Sequence, residues 1–315
     1  MSPSPAKLRL GTRGSKLALA QATNVKAALE RLHKGLTVEV VPITTSGDKG
    51  NREVLGSFVR EIQHALLENR VDVALHCLKD LPTESVFGLV LAAHLEREDP
   101  RDALIGLVRS VADLPQGAHV GTGSVRRTSQ LVSIRPDLTF SPLVGNIGTR
   151  LRKLSEGQYD AIILAIAGLK RLRLLDTWSS DHPDLAVTPL EFDQMLPAPG
   201  QAVLVLETRE NDKAARGVAG SLNDEPSRLC ATAERAFLAE FGGGCSVPVA
   251  AFGTVHHGAV HLSGLVAAPD GSQVLRGTAT GETPEEAASL LFAELAGKGA
   301  LELFVRAPAS SGANR

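Results

Sequence analysis

Over the first two-thirds of the chain, almost wholly apolar runs alternate with stretches whose apolar positions recur every three or four residues. K-L-R-L-G-T (7–12), L-T-V-E-V-V-P-I (36–43) and V-D-V-A-L-H-C-L (71–78) predict strands. Residues 15–32 predict a helix, apolar at Leu17, Val25, Ala28 and Leu32, with Ser15 placed to cap it. A second helix is expected across Phe58 to Asn69. Strands this apolar predict a parallel sheet covered on both faces.

The pattern then repeats. H-V-G-T-G-S-V-R-R-T-S-Q-L (119–131) echoes L-R-L-G-T-R-G-S-K-L-A-L (8–19), each a strand, a Gly-Thr turn, a serine and a helix. Residues 145–164 echo residues 56–75 in the same order. Two α/β lobes of similar plan, facing one another across a cleft, are expected. The last third differs. An amphipathic helix (226–241) precedes alternating strands with turn signals at H-H-G (256–258) and P-D-G (269–271). A closing helix (283–296) has a Thr cap and Pro at its first position. The expected divisions are a first lobe over 1–97 rejoined by 200–217, a second over 98–199, and a small α+β domain over 218–315.

Composition narrows the function. With 315 residues, 43% hydrophobic and 22% charged, and a net charge of −2, the chain is globular. That charge predicts neither nucleic-acid nor membrane-surface binding. The start lacks a basic-then-apolar leader, and the longest apolar run, Ala161 to Leu169, is too short to span a bilayer, so a soluble, cytoplasmic protein is expected. Three cysteines, with no C-x-x-C pair, argue against a zinc site or a disulfide framework. Cys77 reads as part of a buried strand and Cys230 as a small core residue of a helix. Cys245 is different, because it ends the spacer E-F-G-G-G-C. A sulfur on a bare glycine leash suits a group that is bulky or must swing.

Charge is not spread evenly. Gly121 to Leu175 holds nine Lys or Arg against three acids. Arg126 and Arg127 fall in the first turn of a helix, where they oppose its dipole. An anion bound at that terminus would account for them. Arg13 makes the matching arrangement in the first lobe. Arg13, Arg126, Arg127 and Arg150 cluster at glycine-rich turns at the carboxyl ends of strands, where open α/β sheets bind ligands. Arg135, Arg152 and Arg173 lie within helical stretches and read equally well as solvated surface charges. The ligand therefore carries several negative charges, and no phosphate-binding glycine loop marks it as a nucleotide. Asp80, in H-C-L-K-D-L-P (76–82), is either a structural ion-pair partner or a catalytic group that stabilises positive charge. No residue pattern requires a metal.

These segments, together with E-R-E-D-P-R-D-A, G-N-I-G-T-R-L-R-K-L, L-P-A-P-G-Q and A-E-R-A-F-L-A-E-F-G-G-G-C-S-V-P-V, resemble the porphobilinogen deaminase (hydroxymethylbilane synthase) family from about Lys7 to the closing helix. The resemblance implies two doubly wound lobes like periplasmic solute-binding proteins, plus a third domain carrying the cysteine. It implies a transferase that joins four porphobilinogens head to tail with loss of ammonia. Cys245 would hold a dipyrromethane cofactor by a thioether, and Asp80 would be catalytic. Lys79, Ser124, Arg126, Arg127 and Arg150 would bind the cofactor; Arg13, Ser15, Thr122, Arg171 and Gln201 would bind substrate. A cytoplasmic monomer handing its product to uroporphyrinogen-III synthase is further implied. The chain departs from the family at Val144 and Leu55, where basic residues are usual, at Gly123, and at Cys77, where serine is usual. Those departures leave open a degenerate paralogue that binds tetrapyrrole without turnover. A non-catalytic polycarboxylate-binding protein on the bilobal receptor plan is the other alternative.

Overall fold

Strand and helix alternate as the apolar runs predict. The computed structural model describes residues 6–46, 59–243 and 248–305. The chain begins with β1 (Lys7–Arg13), α1 (Lys16–Leu32), β2 (Thr37–Ile43), α2 (Arg60–Leu67), β3 (Val73–Cys77), a 3-10 turn (Leu78–Asp80) and β4 (Leu89–His94). It continues through β5 (Asp102–Gly106), β6 (His119–Gly121), α3 (Val125–Ile134), β7 (Thr139–Ser141), α4 (Ile147–Ser155), β8 (Ala161–Ala165), α5 (Ile166–Arg171), α6 (Trp178–Asp181) and β9 (Ala186–Pro189). Then come β10 (Leu204–Arg209), α7 (Lys213–Gly220), α8 (Glu225–Glu240), β11 (Val249–His256), β12 (Ala259–Ala267), β13 (Val274–Gly281), α9 (Pro284–Gly297) and α10 (Glu302–Val305). Two units emerge. Unit 1 comprises Met1–Pro100, Ala167–Trp178 and Gly200–Ala231, and unit 2 comprises the remainder.

The sheet of unit 1 has the order β2-β1-β3-β10-β4. Ala22, Val25 and Leu29 of α1 pack with Leu8, Leu10, Val38 and Leu75 on one face. Ile62, Ala65 and Leu66 of α2 pack with Ala74 on the other. Both faces are covered, as the apolar strands imply. The sheet is not wholly parallel, however: β10 runs antiparallel to β3 and β4. An apolar run reports burial on two faces, and burial is the same whichever way the strand points. Ser15 is the cap of α1, its hydroxyl accepting from the Ala18 N–H at 3.3 Å.

Unit 2 contains a sheet of order β7-β6-β8-β5-β9, with β5 antiparallel to β8 and β9. This is the order of unit 1 with β6, β7, β8, β5 and β9 in the places of β1, β2, β3, β10 and β4. The echoing segments occupy equivalent elements, β1–α1 matching β6–α3 and α2–β3 matching α4–β8. The same unit holds the antiparallel meander β11-β12-β13 and α9. The H-H-G turn is a two-residue hairpin, with His257 at φ 51° and Gly258 at φ 84°. Gly264 of β12 permits the close packing of two helices. A Cβ there would lie 2.6 Å from Leu291 of α9 and 3.0 Å from Phe237 of α8. Thr283 caps α9 through the Glu286 N–H at 3.1 Å, with Pro284 first in the helix.

Asp72 clasps the far edge of unit 1, accepting from Arg9 N–H at 2.8 Å and Arg9 Nη2 at 2.6 Å. Burial raises its carboxyl, but the Arg9 hydrogen bonds and Arg209 outweigh that and hold it below the ordinary 3.8. A depressed folded value contributes stability above the unfolded value and loses it as pH falls through the folded one. Asp72→Asn is therefore expected to cost about 1 kcal/mol at pH 7. Its urea midpoints at pH 7 and pH 3 should also lie closer together than those of the wild type.

Candidate functional site

In unit 1, five of the expected residues lie at the edge formed by the carboxyl ends of β1 and β3. Arg13 ends β1, Ser15 caps α1, and Lys79 and Asp80 sit on the 3-10 turn that follows β3. Because β10 runs antiparallel, with Leu204 opposite Cys77, its amino end brings Gln201 to the same edge. Arg171, at the end of α5, donates from Nη2 to the Ala202 carbonyl at 2.6 Å. Burial pushes its guanidinium down from the ordinary value, while Cys77 and Glu98 oppose the shift.

The turn is rigid because of Leu78, which is wholly buried, and a bond from the Leu81 N–H to the Leu78 carbonyl at 3.1 Å. Lys79 Nζ donates to Gln201 Oε1 at 3.1 Å. Among the described residues, the Asp80 carboxylate makes no hydrogen bond or ion pair. Cys77 is only partly buried, at the end of its strand rather than inside it, with Sγ 3.9 Å from the Gln21 amide. Burial and Asp80 push its thiol up, so it is a weak nucleophile there. Cys230 is buried in α8 as its pattern implies.

The cluster of unit 2 lies at the carboxyl ends of β6 and β7. Thr122 is buried and its hydroxyl accepts from the Ser124 N–H at 3.3 Å. Ser124 is the cap residue of α3, yet its side chain makes no capping bond. Arg150, in the first turns of α4, donates from Nε to the Gly145 carbonyl at 2.8 Å. Val144 is 47% exposed beside that turn. Arg152 pairs with Glu156 on the exposed face of α4. Arg135 neither faces open solvent nor belongs to this cluster. It closes the end of α3, donating to Asp137 and to the carbonyls of Val111 and Leu114. Leu55 and Cys245 lie outside the described residues.

Arg126 and Arg127 are both buried, and the anion that accompanies them is in part the protein's own. Asp102, which is 0% exposed at the start of β5, accepts from Arg126 Nη2 at 2.8 Å and Arg127 Nη2 at 2.7 Å. Arg126 Nη1 also reaches the Leu196 carbonyl at 2.6 Å, and Arg127 Nη1 the Ile163 carbonyl at 2.9 Å. Burial pushes Arg126 down from its ordinary value, and Asp102 partly restores it. Two guanidiniums against one carboxylate leave a net positive charge. Arg127 Nε is buried without an acceptor. Leaving such a donor unpaired costs about 1–3 kcal/mol, which a carboxylate brought by a ligand would recover. Sequence reasoning missed Asp102. Its signal was an acid opening the otherwise apolar strand D-A-L-I-G.

A family model described as "Porphobilinogen deaminase, dipyromethane cofactor binding domain" matches residues 8–217. One described as "Porphobilinogen deaminase, C-terminal domain" matches residues 228–297. Two curated relatives named porphobilinogen deaminase, from two strains of Acidithiobacillus ferrooxidans, are each 44% identical over 306 residues. Each alignment covers 95% of this chain and 97% of the relative. Solved structures that resemble it include a probable amino-acid ABC transporter extracellular-binding protein from Bacillus subtilis, at TM-score 0.41 and 10% identity. That alignment covers 69% of this chain and 89% of the other. With matched models covering both the cofactor-binding region and the C-terminal domain, and with relatives aligned along nearly their whole length, the chain belongs to the porphobilinogen deaminase family.

Proposed function

We propose that Asp80 is the catalytic carboxylate of this enzyme and that the basic residues of the two units hold the carboxylates of cofactor and substrate. As a porphobilinogen deaminase, the chain is a transferase that joins four porphobilinogen molecules into hydroxymethylbilane, releasing ammonia at each addition. When bound, the dipyrromethane supplies the free pyrrole carbon to which the first substrate is joined. The residues present suit such a group. Its acidic side arms need buried or partly buried donors, and the unpaired Arg127 Nε, the Ser124 hydroxyl and the net charge of the Arg126–Arg127–Asp102 cluster meet that need. Lys79 and Arg150 complete the proposed cofactor set. Arg13, Ser15, Arg171, Thr122 and Gln201 form the proposed substrate set. Thr122 and Gln201 are buried, as are Arg126 and Arg127.

Asp80 carries the catalytic assignment through one observation: its carboxylate lies on a rigid turn and has no hydrogen-bond or ion-pair partner among the described residues. It is therefore available to accept pyrrole N–H groups and to stabilise the positive charge that develops on substrate as ammonia leaves. We assign the covalent attachment to Cys245 Sγ, which follows α8 on its glycine spacer. A cytoplasmic monomer that hands its product to uroporphyrinogen-III synthase belongs to the same proposal. Among the described residues no helix is long and apolar enough to cross a membrane.

Intact mass tests the attachment. Freshly purified protein should exceed its sequence mass by one dipyrromethane, and Cys245→Ala should remove the excess. Wild-type protein of bare sequence mass would overturn the assignment. Incubation with porphobilinogen should then yield hydroxymethylbilane; a loaded protein that yields none would be the degenerate paralogue that Val144 and Leu55 left open.

A further inference from the structure

Three consecutive residues, Gly200, Gln201 and Ala202, lie against Leu78, Lys79 and Arg171 respectively. Gly200 has φ 71°, and a Cβ there would lie 2.9 Å from Leu78 Cγ. Only glycine lets the backbone lie so close to the residue that opens the turn bearing Lys79 and Asp80. Gln201 is 1% exposed and bonds Lys79. Ala202 also has φ 71°, a left-handed conformation that a side chain makes costly and that persists only where the surroundings hold it. Its carbonyl accepts from Arg171 Nη2 at 2.6 Å and from the Glu98 N–H at 3.3 Å.

The orientation of the Gln201 amide follows from its partners. Its Nε2 donates to the Pro100 carbonyl at 2.7 Å, and its Oε1 accepts from Lys79 Nζ at 3.1 Å. A carbonyl can only accept and an ammonium can only donate, so the reverse orientation would lose both bonds. The Gln201 main chain is fixed as well, its carbonyl accepting from Arg97 Nε at 2.9 Å. One donor and the carbonyl oxygen of the amide are thus committed within the protein. Lys79, by contrast, has a long side chain with much rotamer freedom to lose on binding an anion.

We infer that Gln201 is a positioning residue for Lys79, and that Gly200, Gln201 and Ala202 together form the seat on which the unit 1 site is set. Gly200 fixes the 3-10 turn, Gln201 fixes the ammonium, and Ala202 fixes Arg171. Part of the ordering of Lys79 is complete before any carboxylate arrives. The inference rests on the reading of Lys79 as a cofactor- or substrate-binding residue.

The test compares Gln201→Met, Gln201→Glu, Lys79→Met and the double variant Gln201→Met/Lys79→Met. Each is purified as the full chain and read by kcat, KM and the fraction carrying the dipyrromethane mass. Gln201→Met should lower kcat/KM for porphobilinogen about tenfold, the order expected for one charge-assisted hydrogen bond. It should also lower the loaded fraction. Gln201→Glu keeps an acceptor for Lys79 but replaces the donor to the Pro100 carbonyl with a second acceptor, so it should retain a higher kcat/KM than Gln201→Met while melting below the wild type. The double variant should be no worse than Lys79→Met alone, because Gln201 acts through that side chain. Effects that multiply, a Gln201→Glu enzyme as impaired as Gln201→Met, or a Gln201→Met enzyme equal to the wild type would each overturn the role of Gln201. A Lys79→Met enzyme equal to the wild type in rate and loading would instead overturn the reading of Lys79, and this inference with it.

Discussion

Asp80→Asn lowers the turnover of porphobilinogen by at least about a hundredfold and leaves the melting temperature within about 3 °C of the wild type. The two halves of this expectation come from different features of one turn. Leu78 holds the turn in the core and the Leu81 N–H closes it, so the backbone does not need the Asp80 carboxylate. That carboxylate is partly exposed and has no hydrogen-bond or ion-pair partner among the described residues, so little stability is lost with it. Asparagine keeps the shape and one acceptor oxygen, and it removes the charge. A rate that falls only a fewfold would mean that Asp80 orients N–H groups without stabilising charge. An unchanged rate would remove it from the mechanism. Product formation under saturating substrate, with calorimetry on the same samples, decides between these.

Asp102→Ala has the opposite signature. Asp102 is fully buried and bridges two buried arginines, so its loss leaves two buried charges without the carboxylate they share. Removing one member of a buried ion cluster typically costs about 3–5 kcal/mol, a large fraction of the stability of any domain. Urea unfolding should show that loss as a lower midpoint. Protein that still folds should carry less dipyrromethane, since the forks of Arg126 and Arg127 would no longer be held in place. Asp102→Asn keeps an acceptor for one guanidinium and should cost less. A midpoint unchanged in both variants would show that the arginines find other partners, and the account of this cluster would fail.

Local chemistry made much of this molecule legible in advance. Ser15 and Thr283 cap helices where their sequences say they should, and the two echoing segments fall on equivalent elements of two sheets with one order. What local chemistry could not show was direction and partnership. The antiparallel sense of β5 and β10 leaves no mark on strands that are apolar on both faces. Arg126 and Arg127 read from their place in a first helical turn as calling for an anion, and nothing near them in sequence reveals that a carboxylate 24 and 25 residues back along the chain supplies part of it. Arg135 reads from its spacing as one more helical cation, and only the fold shows it turned back onto the carbonyls before β6. Gln201 sits in a segment that suggests ligand contact, and nothing in its neighbours along the chain reveals Pro100 as its partner.

The order of strands also sets an order of assembly. Among the described residues, β4 of the first sheet pairs with β10 alone, so it has no neighbour there until residues 204–209 have been made. The second sheet, begun later, needs nothing beyond β9, which ends at Pro189. As the chain leaves the ribosome, the sheet begun second can close first. The sheet that starts first must wait with an open edge, and an open edge invites mispairing.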